Sequence, residues 1–291
     1  MADQLGAYTY TEIMSQPGLW DKAVDAFRRQ LDVVKALWDE GGYDSVIFTG
    51  CGSTYYLALA AATLFQQLTG VSSRAYPASE IALMADLVFL PDTNYLLITI
   101  SRSGETTETV EAMRVFRERT GNPVIAVTCA SSSTLAMQAD ISVAIDEAQE
   151  HSLAQTRSFA SMLIAVEAAA ATLSGRGDLD ALSGLTPAVT NLLRDYHQLA
   201  RNLGEDRQIE RFFFLGSGAL YGIACEGMLK MKEMSLSYSE AFHVLEFRHG
   251  PMSMVDSHTL VVGLISDEAH PQEIAVLRQM HKRGAQILAL A

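Results

Sequence analysis

Basic charge is scarce in this chain. Against 34 Asp and Glu stand 21 Lys and Arg, a formal net charge of −13, and such a surface repels a phosphate backbone, which argues against nucleic acid as a partner. A small anion must then be held by local donors. Cysteine is scarcer still: Cys51, Cys129 and Cys225 are widely spaced among apolar or glycine-rich neighbours, so neither a disulfide framework nor a zinc site is expected, and a reducing cytoplasm fits best. Long apolar runs are missing too. No segment approaches a membrane span, and Met1 to Tyr10 lacks the basic flank and apolar run of a secretory leader. The expectation is a cytoplasmic protein with no membrane partner, no metal and no other cofactor.

What is present is enough apolar residue, 49% of 291 positions, to bury substantial cores in one large or two ordinary domains. Residues 1–40 read as a helical lead-in, a short helix, a turn at Pro17-Gly18 and a longer helix. From Ser45 the pattern becomes strand, glycine turn, helix: Val46 to Thr49, then Gly50-Cys51-Gly52-Ser53, then an Ala/Leu-rich stretch from Thr54 to Leu68. Strands near Ser73 to Tyr76, Tyr95 to Ile100, Val124 to Thr128 and Ile141 to Ala144 alternate with helical stretches such as Thr106 to Thr120, which predicts a parallel sheet covered by helices. The Ala-rich helix Thr156 to Leu173 stops at Ser174-Gly175-Arg176-Gly177, a domain boundary, and a bridging helix from Pro187 to Leu203 is expected within 178–205.

A repeat organises the rest. Phe48-Thr49-Gly50-Cys51-Gly52-Ser53-Thr54-Tyr55 returns as Phe214-Leu215-Gly216-Ser217-Gly218-Ala219-Leu220-Tyr221, Leu96 to Ser101 matches Val261 to Ser266, and Gly121 to Thr128 matches Gly284 to Ala291. The chain thus reads as two copies of one fold, residues 41–177 and 206–291. In that register the second copy is C-terminally truncated by on the order of 50 residues.

The strongest chemical signal is Ser101-Arg102-Ser103-Gly104-Glu105-Thr106, at the carboxyl end of an apolar strand and opening a helix. Three hydroxyls and a glycine at a helix N-terminus suit a phosphate, although Ser and Thr are also ordinary N-caps. Gly50-Cys51-Gly52 with Ser53 and Thr54 adds donors at a second strand end, while the third glycine of a dinucleotide fingerprint is replaced by Tyr55. The second copy carries Ser266-Asp267-Glu268 instead, so phosphate is expected only in the first. Further on, Glu226, Lys230 and Glu233 fall on one helix face, either a solvated ion-pair stripe or an acid-base pair in the making. His249 stands before Gly250-Pro251 in an expected loop; a Glu and a His together suit sugar ring opening and enolisation.

With Thr11-Glu12-Ile13, Ser79-Glu80, Glu226-Gly227-x-Leu229-Lys230-x-Lys232-Glu233 and His249-Gly250-Pro251 added, the chain resembles the sugar isomerase (SIS) domain family. Within it, the chain resembles the tandem synthase portion of glutamine:fructose-6-phosphate aminotransferases and stand-alone glucosamine-6-phosphate deaminase-like proteins. The resemblance implies two tandem doubly wound α/β sandwiches, flavodoxin-like and three-layered. It implies that Ser101, Arg102, Ser103, Gly104 and Thr106 bind the substrate phosphate and that Gly52, Ser53, Thr54, Leu153 and Thr156 bind the sugar. Glu233 would move the proton between C1 and C2, Lys230 would polarise sugar oxygens, and His249, supplied across a homodimer, would assist ring opening.

Three departures qualify this. Met1-Ala2-Asp3 leads straight in without a glutaminase domain, so glutamine is not the expected ammonia source; Arg102 stands where the aminotransferases carry glutamine; and no C-terminal tail supplies a Schiff-base lysine. The expected activity is interconversion of glucosamine 6-phosphate with fructose 6-phosphate and ammonia. Cleavage of a fructosamine phosphate and a non-catalytic sugar-phosphate sensor are the alternatives.

Overall fold

The computed structural model describes residues 6–175, 177 and 179–291. Met1-Ala2-Asp3, and Arg176 and Asp178 at the expected boundary, lie outside them. The chain divides into two compact units, Met1–Arg194 and Asp195–Ala291. No helix among the described residues is long and apolar enough to cross a membrane.

The first unit is built on five parallel strands, β1 (Ser45–Gly50), β2 (Ser72–Pro77), β3 (Tyr95–Ser101), β4 (Val124–Thr128) and β5 (Ile141–Ala144), in the order β2-β1-β3-β4-β5. The apolar runs of β3 and β4 follow from burial on both faces: every residue of these two strands is buried. Side chains alternate across the sheet. Ile47, Tyr95, Leu97, Val124 and Ala126 share one core with Ile81, Met113 and Phe116 of the helices Ala78–Leu83 and Thr107–Thr120. Phe48 faces the other way, onto Phe65 at 5.5 Å, in the layer of the helices Ser53–Thr69 and Arg157–Leu173. Those two helices pack on each other, and both bury small residues, Ala58, Ala60 and Ala61 in one and Ala165, Ala168 and Ala170 in the other. Burying a phenylalanine such as Phe48 or Phe65 contributes about 2–3 kcal/mol. The lead-in is three helices, Ala7–Ser15, Pro17–Arg28 and Leu31–Gly41, the second packed on Arg157–Leu173.

The second unit repeats the frame with β6 (Arg211–Leu215), β7 (Tyr238–Phe242), β8 (Thr259–Leu264) and β9 (Gln286–Leu290), parallel and ordered β7-β6-β8-β9. Phe213, Leu215 and Val261 pack towards Val276, Leu277 and Met280 of the helix His270–Lys282. Phe214 faces the opposite layer, where it lies against Gly227 of the helix Ala219–Ser235 so closely that a Cβ there would meet its ring at 2.8 Å. The repeat is visible in the backbone: Gly52 at φ 56, ψ −123 and Gly218 at φ 57, ψ −131 open helices of 17 residues each. Only glycine enters that conformation readily.

Three expectations are corrected. Pro17-Gly18, expected as a turn, is the first turn of a helix, where proline lacks only an N–H that has no partner, and the expected longer helix is two, Pro17–Arg28 and Leu31–Gly41. The ladders pair Val46 with Leu96 and Phe212 with Leu260, so Leu96 corresponds to Leu260, one residue from the match read in sequence. The expected single bridging helix is two, Leu185–Asp195 and His197–Glu205, interrupted at Tyr196. The first buries Val189 and the second buries nothing, so no continuous apolar stripe holds them as one rod.

Candidate functional site

In the first sheet the strand order reverses between β1 and β3, and in doubly wound folds ligands bind outside the carboxyl ends of the strands at such a point. Both glycine- and hydroxyl-rich loops sit there. They touch: a Cβ on Gly50 would fall 2.8 Å from the Ile100 carbonyl oxygen and 2.5 Å from Thr54 Oγ1, so only glycine lets the two strand ends close up.

Ser101 is buried, and its Oγ accepts the Gly104 N–H at 3.1 Å while lying 3.1 Å from Thr106 Oγ1. Ser103 Oγ accepts the Glu105 N–H at 3.2 Å. Gly104 takes φ 64 and lies so near Ser133 that a Cβ would fall 1.9 Å from its Oγ. The loop is docked on the next one as well, since Leu135 N–H donates to the Gly104 carbonyl at 3.0 Å and Thr134 N–H to Glu105 Oε1 at 2.7 Å. Thr106 is the N-cap of the following helix, yet its side chain makes no capping bond. The plain N-cap reading of these hydroxyls therefore fails for Thr106, and the helix offers its uncapped first N–H groups beside them. Ser101, Ser103, Gly104 and Thr106 are thus brought together.

Arg102 goes elsewhere. Its Nη1 donates to the carbonyls of Ser152 at 3.0 Å and Leu153 at 3.1 Å and stands 3.8 Å from Glu150 Oε2. The expectation of a cation turned to the phosphate is not what the geometry gives, because two carbonyls and a carboxylate already hold the guanidinium. Of the expected sugar-binding residues, Gly52 supplies the positive-φ turn and Ser53 is buried at the helix start. Thr54 Oγ1 donates to Cys51 O at 2.9 Å and accepts the Cys51 N–H at 3.0 Å, so this hydroxyl serves its own turn. Leu153 is 94% exposed, and Thr156 donates through both N–H and Oγ1 to Glu150 Oε1 at 2.7 and 2.6 Å.

Two carboxylates to which sequence reasoning gave no role, Glu150 and Glu12, organise this region. Glu150, its side chain fully covered, also accepts the Arg157 N–H at 2.9 Å and the Ser158 hydroxyl, so it occupies the N-terminus of the Arg157–Leu173 helix. Glu12, from the lead-in, accepts the His151 N–H at 2.6 Å and the Ser152 N–H at 3.3 Å. Burial would raise its pKa, but the Ser152 and His151 donors and nearby Arg157 hold it below the usual carboxylate range. An acid just before a helix start, and the one charged residue of the helix Ala7–Ser15, were the available signals. Cys51 lies in the crevice, and burial pushes its thiol up, away from the thiolate a nucleophile needs.

In the second unit the charged stripe is real and tight. Lys230 Nζ lies 3.0 Å from Glu226 Oε1 and 2.6 Å from Glu233 Oε2, with Glu226 buried and the Glu233 side chain 39% exposed. One ammonium between two carboxylates, one sheltered and one open to solvent, differs from the freely solvated face that helical spacing alone suggests. His249 is exposed and caps the 3₁₀ turn Glu246–Arg248. The loop after β8 is closed to anions: Glu273, fully buried, accepts the Ser266 N–H at 2.7 Å and its hydroxyl at 3.1 Å.

A family model described as SIS domain matches residues 43–172 and 207–291. The whole chain is 28% identical to part of glutamine–fructose-6-phosphate aminotransferase [isomerizing] of Thermococcus kodakarensis, and it spans about half, 50%, of that relative's length. Among solved structures, glucosamine-6-phosphate deaminase from Thermotoga maritima is 28% identical, with a TM-score of 0.78 over 93% of this chain and 85% of that one. Tagatose-6-phosphate ketose/aldose isomerase from Escherichia coli is 22% identical, with a TM-score of 0.90 over 98% of this chain and 80% of that one, a likeness of fold.

Proposed function

The chain belongs to the SIS domain family, and from that premise we propose that it is a phosphosugar isomerase that interconverts glucosamine 6-phosphate with fructose 6-phosphate and ammonia. The observation that carries the proposal is the hydroxyl-lined loop Ser101–Thr106 at the strand-order reversal, with the Thr106 side chain left uncapping. A solved relative of the same breadth is named for this deamination.

In this reading Ser101, Ser103, Gly104 and Thr106 hold the phosphate dianion through hydroxyls and N–H groups. His249, supplied across a homodimer, assists ring opening. The Glu233 carboxylate takes the proton from C2 of the open aldose amine and returns it at C1. The product is a ketimine, which water hydrolyses to the ketose and ammonia, so atoms and charge balance without an oxidant. Lys230, held between Glu226 and Glu233, polarises the sugar oxygen.

The test is a coupled assay presenting glucosamine 6-phosphate, and separately fructose 6-phosphate with ammonium, to the full chain and to Glu233→Gln. Turnover that falls at least about 100-fold in the variant is expected, the scale of a lost general base. Turnover untouched by Glu233→Gln sinks the mechanism. Binding of the sugar phosphate with no turnover in either direction makes the chain a sensor instead.

A further inference from the structure

We infer that Arg102 is a positioning residue: it staples the phosphate loop to the 150–156 segment, and so governs how the sugar portion of a ligand is received rather than how its phosphate is gripped. The inference rests on the Ser101–Thr106 loop being the phosphate cradle, and goes beyond it.

The cradle's one cation is turned out of it. One guanidinium nitrogen serves two successive carbonyls, those of Ser152 and Leu153, beside the covered Glu150 carboxylate. The Arg102 carbonyl is engaged too, accepting from Cys129 N–H at 3.1 Å and Thr128 Oγ1 at 3.3 Å, which fixes the residue at both ends. On its far side the same segment is held by Glu12, through the N–H groups of His151 and Ser152, and by Thr9 Oγ1, 2.9 Å from Ser152 Oγ. The Ser152 peptide is therefore clamped between an anion on its N–H and a cation on its carbonyl. Swinging Arg102 to a bound phosphate would strip two carbonyls and leave Glu150 without its nearest cation, a costly exchange for a covered carboxylate.

What the staple presents is Leu153. Its carbonyl is within hydrogen-bond reach of a side chain rooted in the cradle, and its own side chain is 94% exposed. In this inference the exposed leucine, tied through its carbonyl to the cradle, meets whatever is attached to the phosphate, not the phosphate itself. Because a single nitrogen makes both bonds, a lysine ammonium, with three donors on one nitrogen but a different reach, can replace part of the arrangement.

The experiment uses the full chain as wild type, Arg102→Met and Arg102→Lys, with inorganic phosphate and glucosamine 6-phosphate as separate calorimetric probes and amide hydrogen exchange read across 150–156. Arg102→Met is expected to leave the inorganic phosphate Kd within about 2-fold, to weaken glucosamine 6-phosphate about 10-fold or more, and to speed exchange at 150–156, with Arg102→Lys partly restoring each. Loss of inorganic phosphate binding in Arg102→Met overturns the inference and makes Arg102 an anion ligand. Unchanged exchange at 150–156 overturns it as well, and so does equal weakening of both probes. If wild type binds neither probe, or binds them undiminished in Ser101→Ala, it is the cradle that fails, and the exchange readout still decides the staple.

Discussion

Gly104→Ala puts the cradle's geometry to a quantitative test. Two costs add at this position. At φ 64 an alanine is in the left-handed region, which costs about 1–2 kcal/mol for a residue with a Cβ. The new Cβ would also stand 1.9 Å from Ser133 Oγ and 2.5 Å from Ser133 Cβ, distances no relaxation of the alanine itself can relieve. Ser133 cannot simply rotate away, because its hydroxyl donates to the Ala130 carbonyl at 2.7 Å and caps the Thr134–Gln138 helix through Ala136 N–H at 3.3 Å. Overpacking of this kind costs about 1–3 kcal/mol, so the total loss is about 2–5 kcal/mol. Urea unfolding of the full chain at fixed pH measures it. The two terms separate in a cycle with Ser133→Gly, a change that itself costs only a few tenths of a kcal/mol at a cap. In that background the Ser133 clash is gone, only the 3.1 Å approach to Thr128 Oγ1 remains, and Gly104→Ala should cost little more than the roughly 1–2 kcal/mol of backbone strain. A loss below about 0.5 kcal/mol, or the same loss in both backgrounds, refutes the close approach of the two loops.

Two further outcomes follow from buried carboxyls. Glu167, in the Ala-rich helix, has its pKa raised from 4.5 to about 6 by burial alone. The folded state thus binds the proton more tightly than the unfolded chain, so this group's contribution is greatest below pH 4.5, declines between there and about pH 6, and leaves a penalty of at most about 2 kcal/mol at neutral pH. Glu167→Gln should be more stable than wild type at pH 7 by up to that amount and equal to it near pH 4.5; parallel urea midpoints at the two pH values contradict this. Glu150→Gln keeps the shape but removes the charge that collects the Thr156 and Arg157 N–H groups and faces Arg102. A loss of about 3 kcal/mol in urea unfolding is expected, with faster hydrogen exchange at the start of the 157–173 helix.

The strands were the legible part of this fold, for a physical reason. A strand buried on both faces is a continuous apolar run, so Val124 to Thr128 stands out without any knowledge of tertiary contacts, whereas the edge strand Ile141 to Ala144 shows the alternation of a half-buried one. Local hydrogen bonding made the cradle legible too, since Ser101, Gly104 and Thr106 act within six residues of one another. What sequence hid was long-range. Glu12 meets His151 and Ser152 across some 140 positions, and Arg102 meets Ser152 across 50. A basic residue inside a phosphate motif invites the nearest electrostatic explanation, and only the position of two carbonyls redirects it. The break at Tyr196 was likewise invisible, because helical spacing continues through it and only burial, lost after Val189, distinguishes one rod from two.

The two copies explain each other best where they differ. Both keep the glycine that opens the first helix, Gly52 and Gly218, so the frame around the first crossover is common property. On that helix the first copy carries Ala60, Leu64 and Gln67 where the second carries Glu226, Lys230 and Glu233. The charged stripe therefore belongs to one copy alone. After the third strand the asymmetry reverses. There the first copy leaves hydroxyls and N–H groups grouped around Gly104, while the second fills the equivalent loop with its own Glu273 carboxylate on the Ser266 N–H. A carboxylate so placed does for the loop what an external anion would, and its charge repels a competitor. Duplication followed by divergence is the simplest physical account of this pattern: the common frame is stable with either polar cluster, so neither copy gained stability from keeping both the hydroxyl loop and the charged stripe.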